Sequence, residues 1–329
     1  MKALVYDDVE KLVYRYMPDP VPARGQSLIR IAASGICGSD MHAYLGHDER
    51  RPAPLILGHE AAGVVEGGEL DGTRVTINPL ATCGICRYCT AGRDNLCPDR
   101  MIISMPPREG AFGDLVVMAD RNLVTVPDDV PLAKAALAEP LACGWHAVRL
   151  GQAALDVPMK EARCIVIGGG AIGVGAALCL RAFGATDITV LEPNGIRREA
   201  LDGIDGFTAA APGAVEEADL VIDGVGYAAT RADATRIVRP GGVVMHIGLG
   251  AAEGGLDIRR MTLQEITFIG TYTYTAQDFR DTAAAIFDGR LGALDWWEER
   301  PLSEGAQAFA DIRAGVVAAP KIILRPEPE

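Results

Sequence analysis

The chain has 329 residues and a mass of 34.7 kDa, enough for two domains of ordinary size. Its 31 Lys and Arg against 44 Asp and Glu give a formal charge of −13, which lacks the basic footprint that nucleic acid or an anionic bilayer requires. Hydrophobic residues at 49% and charged ones at 23% exclude global disorder, and no run of 18 apolar residues is present to span a membrane.

In chain order, the first 140 residues read as short strands broken by Gly and Pro: Ser27–Ala32, Gly63–Glu66, Arg74–Ile77, Asp114–Val117 and Asn122–Val126. An Ala- and Leu-rich stretch from Leu132 predicts a helical linker interrupted at Pro140. The pattern then alternates. Cys164–Ile167 is an apolar strand, Ala171–Gly184 a helix, Ile188–Leu191 a strand and Ile196–Leu201 a helix, with later strands at Leu220–Asp223, Val243–Ile247 and Thr267–Ile269. Apolar strands alternating with helices predict a parallel sheet covered on both faces. Asp278–Asp288 reads as an amphipathic helix and Lys321–Arg325 as a closing strand. The acidic start, MKALVYDDVEKLVYR, is unlike a signal peptide, so a cytoplasmic protein is expected.

Gly168-Gly169-Gly170-Ala171-Ile172-Gly173 fits G-x-G-x-x-G between a strand and a helix. In that context Gly168 makes the tight turn, Gly170 admits a pyrophosphate at the helix N-terminus, and Gly173 lets helix and strand pack closely. Glu192 follows Gly173 by 19 residues, where an acid binds ribose hydroxyls and repels a 2′-phosphate, so NAD is the expected cofactor. Arg197 and Arg198 lie nearby and can instead reach a 2′-phosphate or stack on adenine. A glycine loop of another α/β fold is the alternative. Val225, Gly226 and Ile247-Gly248-Leu249 follow strands, where the other end of a dinucleotide is expected.

Cys83, Cys86, Cys89 and Cys97 form C-x2-C-x2-C-x7-C. Four thiolates at such spacing close a tetrahedral zinc site with no open position, which is a structural site. An Fe–S cluster is the other metal reading. Cys37, in Gly35-Ile-Cys-Gly-Ser-Asp40, and His59-Glu60, in Gly58-His-Glu-Ala-Ala-Gly63, supply a thiolate, an imidazole and a carboxylate. Together they suit a three-ligand zinc with one open position, while singly each reads as an ordinary buried or structural residue.

The set Gly35-Ile-Cys-Gly-Ser-Asp-Met-His42, Gly58-His-Glu-Ala-Ala-Gly63, the four-cysteine lobe, Glu139-Pro140 and the late glycine fingerprint resembles the zinc-dependent medium-chain alcohol/polyol dehydrogenases. The resemblance covers essentially the whole chain, in the family's order, and is greatest to the sorbitol and threonine dehydrogenase branch. It implies a β-rich GroES-like catalytic domain over 1–142 and 276–329, a doubly wound Rossmann domain over 143–275, and an active site in the cleft between them. It implies a catalytic zinc held by Cys37, His59 and Glu60, with Glu139 binding directly or through the zinc water, where liver-type enzymes carry a Cys. It implies proton relay by Ser39 and His42, and cofactor contacts at Gly168, Gly170, Ile172, Gly173, Glu192, Arg197, Val225, Ile247, Gly248, Leu249, Thr271 and Tyr272. The implied reaction passes a hydride from a secondary alcohol, a polyol or sugar, to NAD, with an amino alcohol of the threonine type as the alternative substrate and a catalytically silent nucleotide-binding relative as the alternative protein. A homo-oligomer, dimer or tetramer, is expected. The chain departs from the family pattern in three places: Gly67-Gly68 arrive early after Gly63, Gly270-Thr-Tyr-Thr-Tyr274 stands where sorbitol dehydrogenases carry an Arg, and Glu192 replaces the commoner Asp.

Four further features have plainer readings. His47, Asp48, Arg50 and Arg51 form a polar run, read as a solvated loop rather than a substrate mouth. Cys143, Cys164 and Cys179 read as buried thiols, and His146 and His246 as core or linker histidines. Trp296-Trp297 reads as local core or an oligomer contact.

Overall fold

A computed structural model describes residues 1–215 and 217–327. It divides into two compact units. The first comprises Met1–Glu139, Thr275–Asp288 and the chain from Trp297 onward; the second comprises Pro140–Tyr274 and Gly289–Trp296.

The first unit is built on a seven-stranded sheet. Its path runs Leu123–Thr125, Arg74–Ile77, Glu60–Glu66, Gln26–Gly35, Lys321–Arg325 and Trp297–Pro301, with Leu115–Ala119 also paired to Gln26–Gly35. The Gln26–Gly35 strand is central because it pairs antiparallel with three others. Alternate residues Ile29 and Ile31 enter one core with Val65, Val75, Ile77, Val116 and Met118. A second core gathers Leu4, Ile56, Phe112, Phe309 and Leu324, so the two ends of the chain share one apolar cluster. A smaller sheet orders Lys11–Tyr16, Lys2–Asp8 and Leu55–Ile56. The N-terminal hairpin carries no Gly-bounded signal, and the sequence reading passes over it.

The second unit holds six parallel strands in the order Thr208–Ala210, Asp187–Leu191, Arg163–Ile167, Ala218–Asp223, Val238–His246 and Thr267–Gly270. The order reverses beside Arg163–Ile167, which carries the glycine fingerprint at its C-terminal end. Ligands bind outside the strand ends at such a switch point.

The structure corrects the sequence reading in two places. The helical linker breaks at Leu137, between helices Leu132–Ala136 and Ala138–Ala154, and not at Pro140. Pro140 lies in the first helical turn, where an N–H would have no partner and its absence costs nothing. Gly289–Trp296, expected in the first domain, belongs to the second unit: Leu291, Leu294 and Trp296 are buried, and the Arg290 guanidinium lies 5.8 Å from the Trp145 ring centroid.

Candidate functional site: a three-ligand centre, a four-thiol lobe and a glycine loop

Strand register assembles the first centre. Gly35 pairs with Glu60 across the Gln26–Gly35 and Glu60–Glu66 strands, which places Cys37, just past the first strand, beside His59 and Glu60. One ligand atom from each of Cys37, His59 and Glu60 lies within 4.8 Å of the other two. Cys37 caps the short helix Gly38–Tyr44. Asp40 ties the turn together: its carboxylate accepts from the Cys37 N–H at 3.0 Å and from the Gly58 N–H at 3.2 Å.

His59 is buried and held at both nitrogens. Nε2 lies 3.5 Å from Ser39 Oγ, while Nδ1 lies 3.4 Å from Ser104 Oγ and 3.4 Å from Asp40 Oδ1. A carboxylate behind an imidazole fixes ring orientation and raises ligand basicity. Burial works against a charge on His59, but the facing Asp40 and Cys37 outweigh it and raise the imidazole well above its usual range. Asp40 is held below the usual carboxylate range: its complete burial is offset by His59 and Arg51.

Glu60 is fully buried and faces a buried cation. The Lys321 ammonium lies 2.7 Å from the carboxylate, donating to Oε1 and, at 2.8 Å, to the Ile36 carbonyl. Oε2 is buried as well and lies 2.7 Å from the same ammonium, outside hydrogen-bond geometry. Soft thiolate, imidazole and carboxylate form a donor set that fits zinc.

Glu139 lies outside this grouping. It is 5% exposed in the first turn of helix Ala138–Ala154, and its charge acts on Lys321. His42 lies in helix Gly38–Tyr44, its ring 6.4 Å from that of His47. Arg51 is not part of a solvated loop. It is 2% exposed, and donates to the Ser104 carbonyl at 2.9 Å, the Ser39 carbonyl at 3.3 Å and Asp48 at 2.9 Å.

The second centre is the four-cysteine lobe. Sulfur–sulfur separations are 3.5 Å for Cys86–Cys89, 3.5 Å for Cys83–Cys97 and 3.9 Å for Cys83–Cys89. A tetrahedral zinc with 2.3 Å bonds sets sulfurs about 3.8 Å apart, so the lobe fits the ion. The Ile85 and Cys86 N–H groups draw the Cys83 thiol down to about 7, while burial and Cys86 push Cys89 up to about 11. Four sulfurs this close resist ionising together without a cation among them. Asp94, inside the lobe, accepts from the Ala276 N–H at 3.1 Å and so caps helix Ala276–Phe287.

In the second unit, Gly168 has φ +102°, and a Cβ on Gly173 would fall 1.7 Å from the Gly168 carbonyl oxygen. A Cβ on Gly170 would meet nothing within 4 Å, so the mouth of the Ala171–Ala182 helix is open, and no side chain caps it. That cradle fits a pyrophosphate. Glu192 Oε2 accepts from the Gly169 N–H at 2.8 Å and Oε1 from the Asn194 N–H at 2.9 Å, so the acid also holds the loop. Arg197 lies 3.6 Å from Glu192, and its buried Nε has no partner. Val225, Ile247, Gly248 and Leu249 follow their strands in loops. Thr271 N–H and Oγ both donate to the His246 carbonyl, at 2.9 and 3.1 Å, with Tyr272 following.

The sequence reading missed Asp40, Arg51, Ser104 and Lys321. Asp40 had a signal, being a carboxylate three residues after Cys37 in the same Gly-flanked turn. Lys321 had none, since a Lys opening an apolar strand reads as exposed.

Comparison with known proteins agrees with these parts. Residues 23–128 match the family model of the alcohol dehydrogenase GroES-like domain, and residues 171–288 that of the zinc-binding dehydrogenases. The chain is 31% identical over 296 residues to sorbitol dehydrogenase of Bacillus subtilis, covering 83% of this chain and 82% of that protein. It is 29% identical over 312 residues to L-galactonate-5-dehydrogenase of Escherichia coli, covering 89% of each. Among solved structures it is similar to an alcohol dehydrogenase of Thermus sp. ATN1, with a TM-score of 0.88, 25% identity, and 99% of this chain and all of that chain covered.

Proposed function

Because the chain belongs to the zinc-dependent medium-chain alcohol/polyol dehydrogenases, we propose that it oxidises a secondary alcohol of a polyol or sugar with NAD, using zinc held by Cys37, His59 and Glu60. The observation that carries this reading is the convergence of Cys37, His59 and Glu60, one ligand atom from each lying within 4.8 Å of the others. The polyol class is supported by the sugar and polyol substrates in the names of its relatives. When bound, zinc lowers the pKa of the substrate hydroxyl and NAD accepts the hydride.

The chain's own residues do the rest. Asp40 and Ser104 face His59 Nδ1 and leave Nε2 for the metal. Lys321 offsets the buried Glu60 charge, and Glu60 would supply a carboxylate oxygen to the metal. Ser39, beside His59 Nε2, and His42 carry the hydroxyl proton outward. Glu139 is a second proton-handling carboxylate and a further metal ligand, directly or through water. Cys83, Cys86, Cys89 and Cys97 hold a structural zinc. Gly168, Gly170, Ile172 and Gly173 seat the pyrophosphate, and Glu192 the adenosine ribose, with Arg197 beside it. Val225, Ile247, Gly248, Leu249, Thr271 and Tyr272 take the nicotinamide end.

No helix among the described residues is long and apolar enough to cross a membrane. We read the protein as cytoplasmic, since none of its eight cysteines is paired in a disulfide, which suits a reducing compartment. We also read it as a homo-oligomer, on the exposed Ile258 and Leu263 of the second unit. The deciding experiment for the activity is NADH formation over a panel of polyols, sugar acids, amino alcohols and simple alcohols, run beside metal analysis. Turnover of polyols or sugar acids by zinc-loaded protein is expected; turnover of amino alcohols alone, or of none, overturns the substrate class or the reaction.

A further inference from the structure

Arg231 is 6% exposed, and four backbone carbonyls accept from its guanidinium. Nε donates to Gly254 at 2.7 Å, Nη1 to Gly226 at 3.0 Å and to Ala251 at 2.8 Å, and Nη2 to Glu253. None of these acceptors is a carboxylate. A buried guanidinium spent wholly on carbonyls is a costly way to hold a loop, and its planar fork fixes the acceptors in one geometry.

The carbonyls come from two loops. Gly226 lies after strand Ala218–Asp223, and Ala251, Glu253 and Gly254 lie after strand Val238–His246. These loops are packed backbone against backbone. A Cβ on Gly226 would fall 2.2 Å from the Gly248 carbonyl oxygen, and one on Gly248 would fall 2.1 Å from the Val225 carbonyl carbon. Gly250 N–H donates to the Val225 carbonyl at 3.1 Å, and Ala251 N–H to the Gly226 carbonyl at 2.9 Å. From the other side the fully buried Asp223 carboxylate accepts from the Val225 and Gly226 N–H groups, each at 2.9 Å, and from Thr230 Oγ at 3.0 Å. The two loops are one clamped body, with Asp223 gathering its N–H groups and Arg231 its carbonyls.

Sheet order says what the body faces. Glu192 ends the strand on one side of the fingerprint strand Arg163–Ile167; Ala218–Asp223 and Val238–His246 lie on its other side. A dinucleotide crossing the switch point with its adenosine half toward Glu192 lays its nicotinamide half over the clamped loops. We propose that Arg231 is the positioning residue for that half: by binding the carbonyls of both loops it presets the backbone groups of Val225 and Ile247–Leu249 before the cofactor arrives. This rests on the cofactor reading above.

The test compares NADH with ADP, which carries only the adenosine half, by titration of wild-type protein and Arg231→Met. With the competent loop arrangement reduced to about a tenth, the apparent Kd for NADH rises about tenfold while that for ADP stays unchanged. Arg231→Lys, which keeps the charge and loses the fork, is expected to fall between the two. An unchanged NADH Kd, or equal weakening of both ligands, overturns the proposal. Wild-type protein that binds no nicotinamide dinucleotide overturns the cofactor reading instead. Hydrogen exchange on wild-type protein decides the matter should Arg231→Met not fold. Strong protection of the Gly250 and Ala251 amides before NADH is added supports a preset body, and protection that appears only on binding overturns it.

Discussion

Lys321 and Glu60 meet at 2.7 Å inside the first unit, although 261 residues separate them in the chain. Burial alone would lower the Lys321 pKa, but Glu60, Cys37 and Glu139 raise it, so the ammonium stays charged. Lys321→Met leaves Glu60 without its partner. Breaking a buried pair on one side costs about 3–5 kcal/mol. Denaturant titration of the zinc-free variant is expected to show a loss of that size, and a loss under about 1 kcal/mol would mean the pair is solvated.

Metal content should be two zinc ions per chain, because the Cys37/His59/Glu60 and four-cysteine donor sets share no residue. Cys37→Ala should retain one zinc and lose activity. Cys89→Ser should instead lower thermal stability, since a structural zinc contributes folding free energy. Elemental analysis of both variants checks the assignment, and two zinc ions surviving in Cys37→Ala would refute it.

NAD should outperform NADP by at least about tenfold in kcat/KM, about 1.4 kcal/mol. Glu192 accepts two backbone N–H groups at 2.8 and 2.9 Å, which fix its carboxylate, and in the proposed ribose site it would repel a 2′-phosphate. Steady-state kinetics with both cofactors decides this. Equal use of NADP would show that Arg197, 3.6 Å from Glu192, turns to the phosphate.

Glu139 separates a polyol enzyme from a generic alcohol dehydrogenase. As the proposed further ligand, the Glu139 carboxylate would keep the zinc harder than a second thiolate beside Cys37 would, which suits substrates chelating through two neighbouring oxygens. Vicinal diols should therefore be oxidised far better than ethanol. Glu139→Gln should retain the structural zinc and lower kcat by at least about tenfold. Full activity of that variant, measured with the best diol, would reduce Glu139 to a polar residue before Pro140.

Much of this was legible in residue spacing. The Arg74–Ile77 and Lys321–Arg325 strands stand where the β-branched and apolar runs put them, and the glycine fingerprint lies between its strand and helix. The three-ligand centre follows from short motifs because the Gly35–Glu60 register brings two local segments together. What surrounds those ligands was not legible. Lys321 reaches Glu60, and Arg51 reaches Ser39 and Ser104, through tertiary packing that no local period encodes. The break at Leu137 has no local signal, because a Pro inside an Ala- and Leu-rich run reads as the breaker, whereas Pro140 occupies a first turn.

The closing strand has a consequence for synthesis on the ribosome. Lys321–Arg325 pairs with Ser34 and Gly35 of the central strand of the first sheet, so the surroundings of Glu60 stay incomplete until the segment holding Lys321 has been made. At about 5–20 residues per second, Glu60 waits on the order of tens of seconds for Lys321. Residues Pro140–Tyr274 emerge completely within that interval, and the nucleotide-binding sheet can form while the catalytic half is still open. Nascent chains stalled before Lys321 therefore carry Cys37, His59 and Glu60 without the cation that pairs with Glu60.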